Sequence, residues 1–322
     1  MDLQQRTRRF GLAMIACAMT ARLFASGLPG KLLTRLQQLD IAPFLIYLET
    51  GRDVRFSASR EVFWFFSPES APPAAKKEAD KPVFAPEDAA LTDISYACSL
   101  RPSLEELLTS PLDWNLSDGA PAVLILHTHT TEGYAESEGY RTLDESRNML
   151  SIGQKVAEIL EAAGISVLQD RSLHDYPSYN GSYADARKSI ESYLAEYPTV
   201  RLVLDLHRDA SDGVDGQLRT ATDIGGEACA RLMLVMGTDA SGQKHDNWQE
   251  NLSLALKLQA QLERQAPGIT RPTILRAQRF NQDMHPGALL VEVGAAGDTH
   301  GEAMNAAEEL AKAIVALSKG TG

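Results

Sequence analysis

Short apolar runs alternate with stretches of helical periodicity through the C-terminal two thirds of this chain. A mostly parallel sheet joined by crossover helices produces that pattern. Val123-Leu124-Ile125-Leu126 has the length and unbroken apolarity of a buried strand. Met149, Ile152, Val156, Ile159 and Leu160 then recur at spacings of three and four, predicting a helix that Gly164 ends. Ile165 to Leu168 follows as the next strand and completes a βαβ unit. Ser182 and Asp185 have capping-box spacing and predict a second helix, which must stop by Pro198 before the apolar run Val200 to Leu206. Further strands are predicted at Leu232 to Met236 and Leu289 to Val293, and amphipathic helices at about 248–265 and 302–317. The predicted class is α/β: a mostly parallel twisted sheet flanked by helices.

The first third reads differently. Arg6, Arg8 and Arg9 precede an apolar stretch from Phe10 to Ala25 that Arg22 interrupts, which predicts a signal or membrane-anchor segment over residues 1–27. The run is shorter than the roughly 20 residues a spanning helix needs, so anchor and cleaved signal both stay open. Either places the protein outside the cytoplasm, tethered to the cell membrane or exported. Residues 28–66 carry apolar clusters such as Phe44-Leu45-Ile46-Tyr47-Leu48 and read as a small membrane-proximal segment. Residues 67–118, with Pro72-Pro73-Ala74-Ala75-Lys76-Lys77-Glu78, read as a partly disordered linker. The catalytic domain is expected over 119–322.

Composition narrows the chemistry. Acidic side chains number 43 against 31 basic, a net charge of −12, so no broad cationic surface exists and nucleic-acid binding is disfavoured. Cys17, Cys98 and Cys229 lack paired spacing, so any metal must use His and carboxylates. Phosphate-loop, dinucleotide-turn, nucleophile-elbow and His-Glu-x-x-His signatures are absent from the sequence.

Ionisable residues cluster where strands end. His127 and His129 follow the first strand, His207 follows Leu206, and Glu292 lies inside the apolar run Leu289 to Val293. Ligands of open α/β sheets gather at the carboxyl ends of strands. Zinc takes imidazole and carboxylate ligands and keeps one position open in catalytic sites. His127, Glu132 and His207 form the expected ligand set, with His129 behind them. If the strand stays extended the two histidines point the same way, and either could bind metal. A carboxylate among apolar neighbours is costly unless partnered or neutral. Glu292 is therefore expected to be the general acid/base, or else to pair with Arg276 or Arg208. Asp205 shares a strand face with His207 and could orient an imidazole, while Arg208 and Asp209 could form a structural pair. The polar, aromatic loop 174–183, with Tyr179 and Asn180, suits gripping a sugar or peptide, or is simply a packed loop. Arg279 and Asn281 mark a second candidate substrate loop.

Four ordered stretches carry a resemblance: His127-Thr128-His129-Thr130-Thr131-Glu132, the run Leu173 to Tyr183, Asp205-Leu206-His207-Arg208-Asp209-Ala210, and Pro286 to Gly294. Over roughly residues 120–318 the chain resembles the stage II sporulation protein P family. That resemblance implies an amidase-like fold, a Zn2+ cofactor, and peptidoglycan as substrate. The implied reaction is that of a zinc-dependent N-acetylmuramoyl-L-alanine amidase, with endopeptidase action also credited to the family and Glu292 moving the proton. Implied partners are the companion glycan-cleaving protein D and the membrane protein M of the engulfment machinery. Sporulation and ordinary wall remodelling both remain open as settings. Beside the amidase stand two alternatives, a metallohydrolase of another amide class (peptidase or deacetylase) and a wall-binding module without catalysis.

Overall fold

A computed structural model describes residues 84–112, 114, 116, 119–213 and 216–318. The expected segments 1–27 and 28–66, and the linker up to residue 83, lie outside the described residues. Among the described residues no helix is long and apolar enough to cross a membrane.

A seven-stranded sheet forms the centre. In chain order the elements are β1 (Ile94–Ala97), α1 (Leu104–Thr109), β2 (Pro121–Leu126), α2 (Met149–Ala162), β3 (Ser166–Gln169), α3 (Ser182–Glu196) and β4 (Leu202–Asp209). Two small hairpins follow, β5 (Asp212–Gly213) with β6 (Gly216–Gln217) and β7 (Thr222–Ile224) with β8 (Glu227–Cys229). The chain ends with β9 (Leu232–Met236), α4 (Trp248–Gln265), β10 (Thr273–Arg276), β11 (Ala288–Ala295) and α5 (His300–Ser318). The strand order is β1-β10-β9-β11-β4-β2-β3. Neighbours β11, β4, β2 and β3 run parallel, and so do β9, β10 and β1, but β9 meets β11 antiparallel. The sheet is thus mostly parallel with one antiparallel seam, which puts opposite strand ends side by side there.

Two strands escape the apolar-run reading. β1 lies inside the stretch expected to be linker and pairs in parallel with β10, Ile94 facing Thr273. Both are four-residue strands with only alternate positions turned inward, so neither shows an unbroken apolar run. The folded unit therefore begins upstream of 119, with α1 resting beside α4.

The larger core holds the inner faces of α2, α4 and α5 against the sheet. On the opposite face α3 covers Leu124, Leu126, Val203 and Ala288 with Ala186 and Ile190. Its start differs from the capping box expected at Ser182: the cap is Gly181, at φ 97°. That left-handed turn is open to glycine without strain, and it leaves Asp185 exposed and paired with Lys188.

Candidate active site

β2 ends at Leu126, and the segment after it turns rather than staying extended. Carboxylates from distant parts of the chain hold the turn. Asp205 accepts from the Thr128 amide at 2.8 Å and its hydroxyl at 2.6 Å. Asp175 accepts from the Thr131 hydroxyl at 2.9 Å and the Thr131 amide at 3.1 Å. The two histidines of the segment consequently part company.

His127 goes beneath the sheet. Its Nδ1 lies 3.2 Å from Leu206 O, its Nε2 lies 3.4 Å from Gln169 Nε2, and its ring fills the space over Gly153. A Cβ on Gly153 would sit 2.6 Å from His127 Nε2, so α2 needs glycine there. His129 goes the other way. Its ligand atom, with those of Glu132 and His207, forms a buried group whose members all lie within 4.8 Å of one another. Because the backbone bends at Thr128, His129 rather than the expected His127 joins Glu132 and His207 in the group that could hold a metal.

β4 supplies the third member. Asp205 and His207 are two residues apart on one strand face, and His207 Nε2 stands 2.9 Å from Asp205 Oδ1. The other ring nitrogen, Nδ1, faces Glu132 Oε2 at 3.7 Å. Glu132 is anchored in turn by the Arg208 amide, which donates to its Oε2 at 3.1 Å.

Glu292 is the direct register partner of His207 across β11 and β4. It is the least buried residue of its strand, and the parallel register shifts just after it. The Tyr134 hydroxyl donates to Val293 O at 2.9 Å and fixes the strand there. Neither Arg276 nor Arg208 forms an ion pair with it, and its Oε2 has no hydrogen-bond partner among the described residues. The Arg208 guanidinium instead donates to Gly133 O at 3.0 Å and Tyr140 O at 2.8 Å. Asp209 pairs with Arg271 at 2.8 Å, so the alternative Arg208–Asp209 pair does not form.

Burial and mutual charge set the protonation states. Burial pushes the Glu292 carboxyl up to about 8, against the pull of His207 and with the push of Glu132. Burial likewise raises Glu132, opposed by His207 and Arg208. His129 is lowered to about 4 by burial and by His207 beside it, so it is a neutral imidazole. Burial works to lower His207 too, but Asp205, Glu132 and Glu292 outweigh it and raise the ring to about 10. Three acids thus converge on one imidazole, an arrangement that favours a cation.

The donor set fits zinc. His129 Nδ1 is buried with no hydrogen-bond partner among the described residues, and two imidazoles with one carboxylate match a catalytic zinc shell that keeps a position open. His129, Glu132 and His207 are the residues that would hold it.

The candidate substrate residues surround this group. Tyr179 is 54% exposed, stacks on His129 with centroids 4.5 Å apart, and brings its hydroxyl 3.1 Å from His129 Nε2. Asn180 is exposed at the loop tip. Arg279 pairs with Asp283 at 3.1 Å, and the Asn281 amide donates to Tyr183 O at 2.8 Å. Loop 174–183 is divided in role, since His174 and Asp175 face inward. His174 Nδ1 is 2.9 Å from His127 O and its Nε2 is 3.2 Å from Asp170 Oδ2. Sequence reasoning missed Arg141, which pairs with Asp175 and lies 4.9 Å over the Tyr179 ring. Tyr183, the last residue of the candidate loop 174–183, stacks its ring toward His207 at 6.4 Å. One signal was readable: Gly153 in the middle of an otherwise apolar-periodic helix marks a close approach.

Comparison with known proteins gives a family. The family model described as Stage II sporulation protein P matches residues 67–315, starting well upstream of the resemblance read from the motifs. Stage II sporulation protein P of Bacillus subtilis (strain 168) is 27% identical over 205 residues, which cover 59% of this chain and 49% of that protein. The match spans about half the length of that relative. Among solved structures, N-acetylmuramoyl-L-alanine amidase AmiC2 of Nostoc punctiforme is 15% identical with a TM-score of 0.37, covering 60% of this chain and 94% of that one. The N-acetylmuramoyl-L-alanine amidase of Clostridium difficile 630 is 16% identical with a TM-score of 0.39, covering 62% and 94%. The CwlD amidase of Clostridioides difficile, solved in complex with the GerS lipoprotein, is 16% identical with a TM-score of 0.38, covering 60% and 94%.

Proposed function

The chain belongs to the stage II sporulation protein P family, and from that premise and the site geometry we propose that it is a zinc-dependent peptidoglycan hydrolase. The bond cut is the amide between the lactyl group of N-acetylmuramic acid and L-alanine of the stem peptide. The observation that carries this reading is the convergence of His129, Glu132 and His207 within 4.8 Å, beside Glu292, whose Oε2 has no hydrogen-bond partner among the described residues. We place the activity outside the cytoplasmic membrane, in the wall remodelling of sporulation, with residues 1–27 as tether or export signal.

The chemistry zinc supplies when bound is Lewis acidity, polarising a carbonyl oxygen and acidifying water. The rest belongs to the chain. Glu292, held near 8 by burial, can take a proton at its carboxylate and return it to a departing nitrogen near neutral pH. Asp205 braces His207 from one side and the Thr128 turn from the other, so the imidazole is oriented before substrate arrives. Tyr179, Arg141 and Asn180 form the exposed rim that meets a glycan or peptide.

The test is product analysis on purified sacculi with zinc present. Free stem peptide and intact glycan strands are expected, with loss of activity in Glu292→Gln and in His129→Ala. Cleavage confined to peptide cross-links would replace the amidase reading with an endopeptidase.

A further inference from the structure

A small buried apolar cluster lies beside Glu292 on its face of the sheet. Side chains on one face alternate, so Leu290 lies beside Glu292, and across the antiparallel seam Met233 faces Glu292 and Val235 faces Leu290. Met233, Val235 and Leu290 form a small apolar cluster of their own, with Ile274 and Phe280 packed against it. α3 covers the neighbouring part of this face.

Beyond Phe280, which packs on that cluster, a cavity of about 410 Å³ is lined by Tyr183, Arg187, Gln243, Gln278, Arg279 and Asn281 among others. Tyr183 is the wall it shares with the hydrolytic centre. The Tyr183 ring lies 6.4 Å from that of His207 on one side and 6.0 Å from that of Phe280 on the other. An extended peptide advances about 3.3 Å per residue, so a chain anchored at Glu292 reaches the cavity within about four residues.

Two arginines, Arg187 and Arg279, line the cavity. Arg187 donates to both oxygens of Asp283 at 3.0 Å, and Arg279 shares Asp283 Oδ2 at 3.1 Å. Two guanidiniums thus divide one carboxylate, and each side chain keeps about a third of its surface exposed, 31% and 32%. Among the described residues the remaining acid in contact is Glu191, 3.4 Å from Arg187 and itself 59% exposed. A guanidinium presents five N–H donors, so Asp283 leaves donors of both arginines to spare.

The wall that carries Arg279 is built rigidly. Phe280 and Asn281 both take left-handed backbone angles, φ 51° and 58°, a strain that persists only where the surroundings impose it. Gln282 imposes it by accepting from the Gly237 amide at 2.8 Å and donating to Val235 O at 2.8 Å. The loop also lies so close that a Cβ on Gly237 would meet Gln278 O at 2.4 Å.

We propose that this cavity is a carboxylate subsite, in which Arg187 and Arg279 hold a free carboxylate of the substrate's peptide portion two to four residues from the scissile amide. The proposal rests on the hydrolase reading for its orientation, and it predicts a preference for stem peptides whose carboxylates are free over those that are amidated.

The experiment measures binding and turnover separately with the full chain. In titration calorimetry, a stem tetrapeptide with free carboxylates is expected to bind about tenfold more tightly than its amidated counterpart, the size of a charge-assisted hydrogen bond. That ratio should collapse toward one in both Arg279→Gln and Arg187→Gln. Equal binding of acid and amide by the wild type, or an unchanged ratio in both variants, overturns the subsite. Turnover of the matching muropeptides then separates the two readings. Discriminating binding without zinc-dependent cleavage leaves the subsite standing and removes the amidase, whereas cleavage with no discrimination removes the subsite alone.

Discussion

The Tyr179 ring lies on the His129 imidazole at 15° between planes, with its hydroxyl 3.1 Å from Nε2. When Nε2–H donates to that hydroxyl, the lone pair of Nδ1 is left facing the buried group it shares with Glu132 and His207. A partner on the far nitrogen fixes which tautomer a ligand histidine adopts and how its ring is turned. Tyr179→Phe keeps the stack and removes the hydrogen bond. The expected result is zinc affinity weaker by roughly ten- to a hundredfold with little change in melting temperature, measured by competition with a chelator of known affinity. Unchanged affinity would show that the stack alone orients the ring.

His127 and His129 should separate cleanly in experiment. His129→Ala removes a ligand and is expected to abolish tight zinc binding while leaving the fold intact. His127→Ala opens a cavity over Gly153 and removes the contact with Leu206 O, so it should cost about 2–4 kcal/mol in stability while zinc still binds. Gly153→Ala attacks the same packing from the helix side and should destabilise by about 1–3 kcal/mol. Denaturant melts and metal analysis of the three variants would check this, and loss of zinc in His127→Ala with normal stability would return the ligand role to His127.

The divergence of those two histidines shows where reading the chain stops. The runs that became β2, β4, β9 and β11 are legible because a buried strand must be apolar along its length, and Glu292 stands out for the same reason. That His207 and Glu292 share an address follows from parallel strands ending together. Whether the chain stays extended past Leu126 does not follow, because Asp205 and Asp175 bend it by holding Thr128 and Thr131, 77 and 44 residues away from them. Strand direction is equally hidden: Leu232–Met236 reads the same parallel or antiparallel, yet its reversal against β11 places Met233 beside Glu292. Arg187 and Asp283 meet over 96 residues, and nothing local to either marks the other.

Zinc uptake should release protons. His207 is raised to about 10 by the acids around it, so it is protonated at neutral pH in the metal-free protein, and a ligand imidazole must be neutral. At pH 7 about one proton or more should leave for each zinc bound, and apparent affinity should strengthen as pH rises from 7 toward 9. Calorimetry in two buffers of different ionisation enthalpy reads the proton count directly. A count of zero would mean that zinc does not displace the His207 proton.

Far from this site, Lys257 tests burial itself. Its ammonium is buried on α4 and donates to Leu107 O at 2.8 Å and Ser253 Oγ at 2.7 Å, with Ser110 Oγ at 3.2 Å and no carboxylate in contact among the described residues. Burial lowers it from 10.5 to about 8. The folded chain therefore gives up this proton near pH 8, whereas the unfolded chain keeps it to about 10.5. Between those values the unfolded state binds more protons, so this group's contribution to stability improves as pH rises. Lys257→Met fills similar volume without a charge. The stability of wild type relative to Lys257→Met should improve by no more than about 2 kcal/mol from pH 7 to 9.5, read from urea melts at each pH. A flat difference across that range would mean that the three neutral acceptors solvate the ammonium as well as water does.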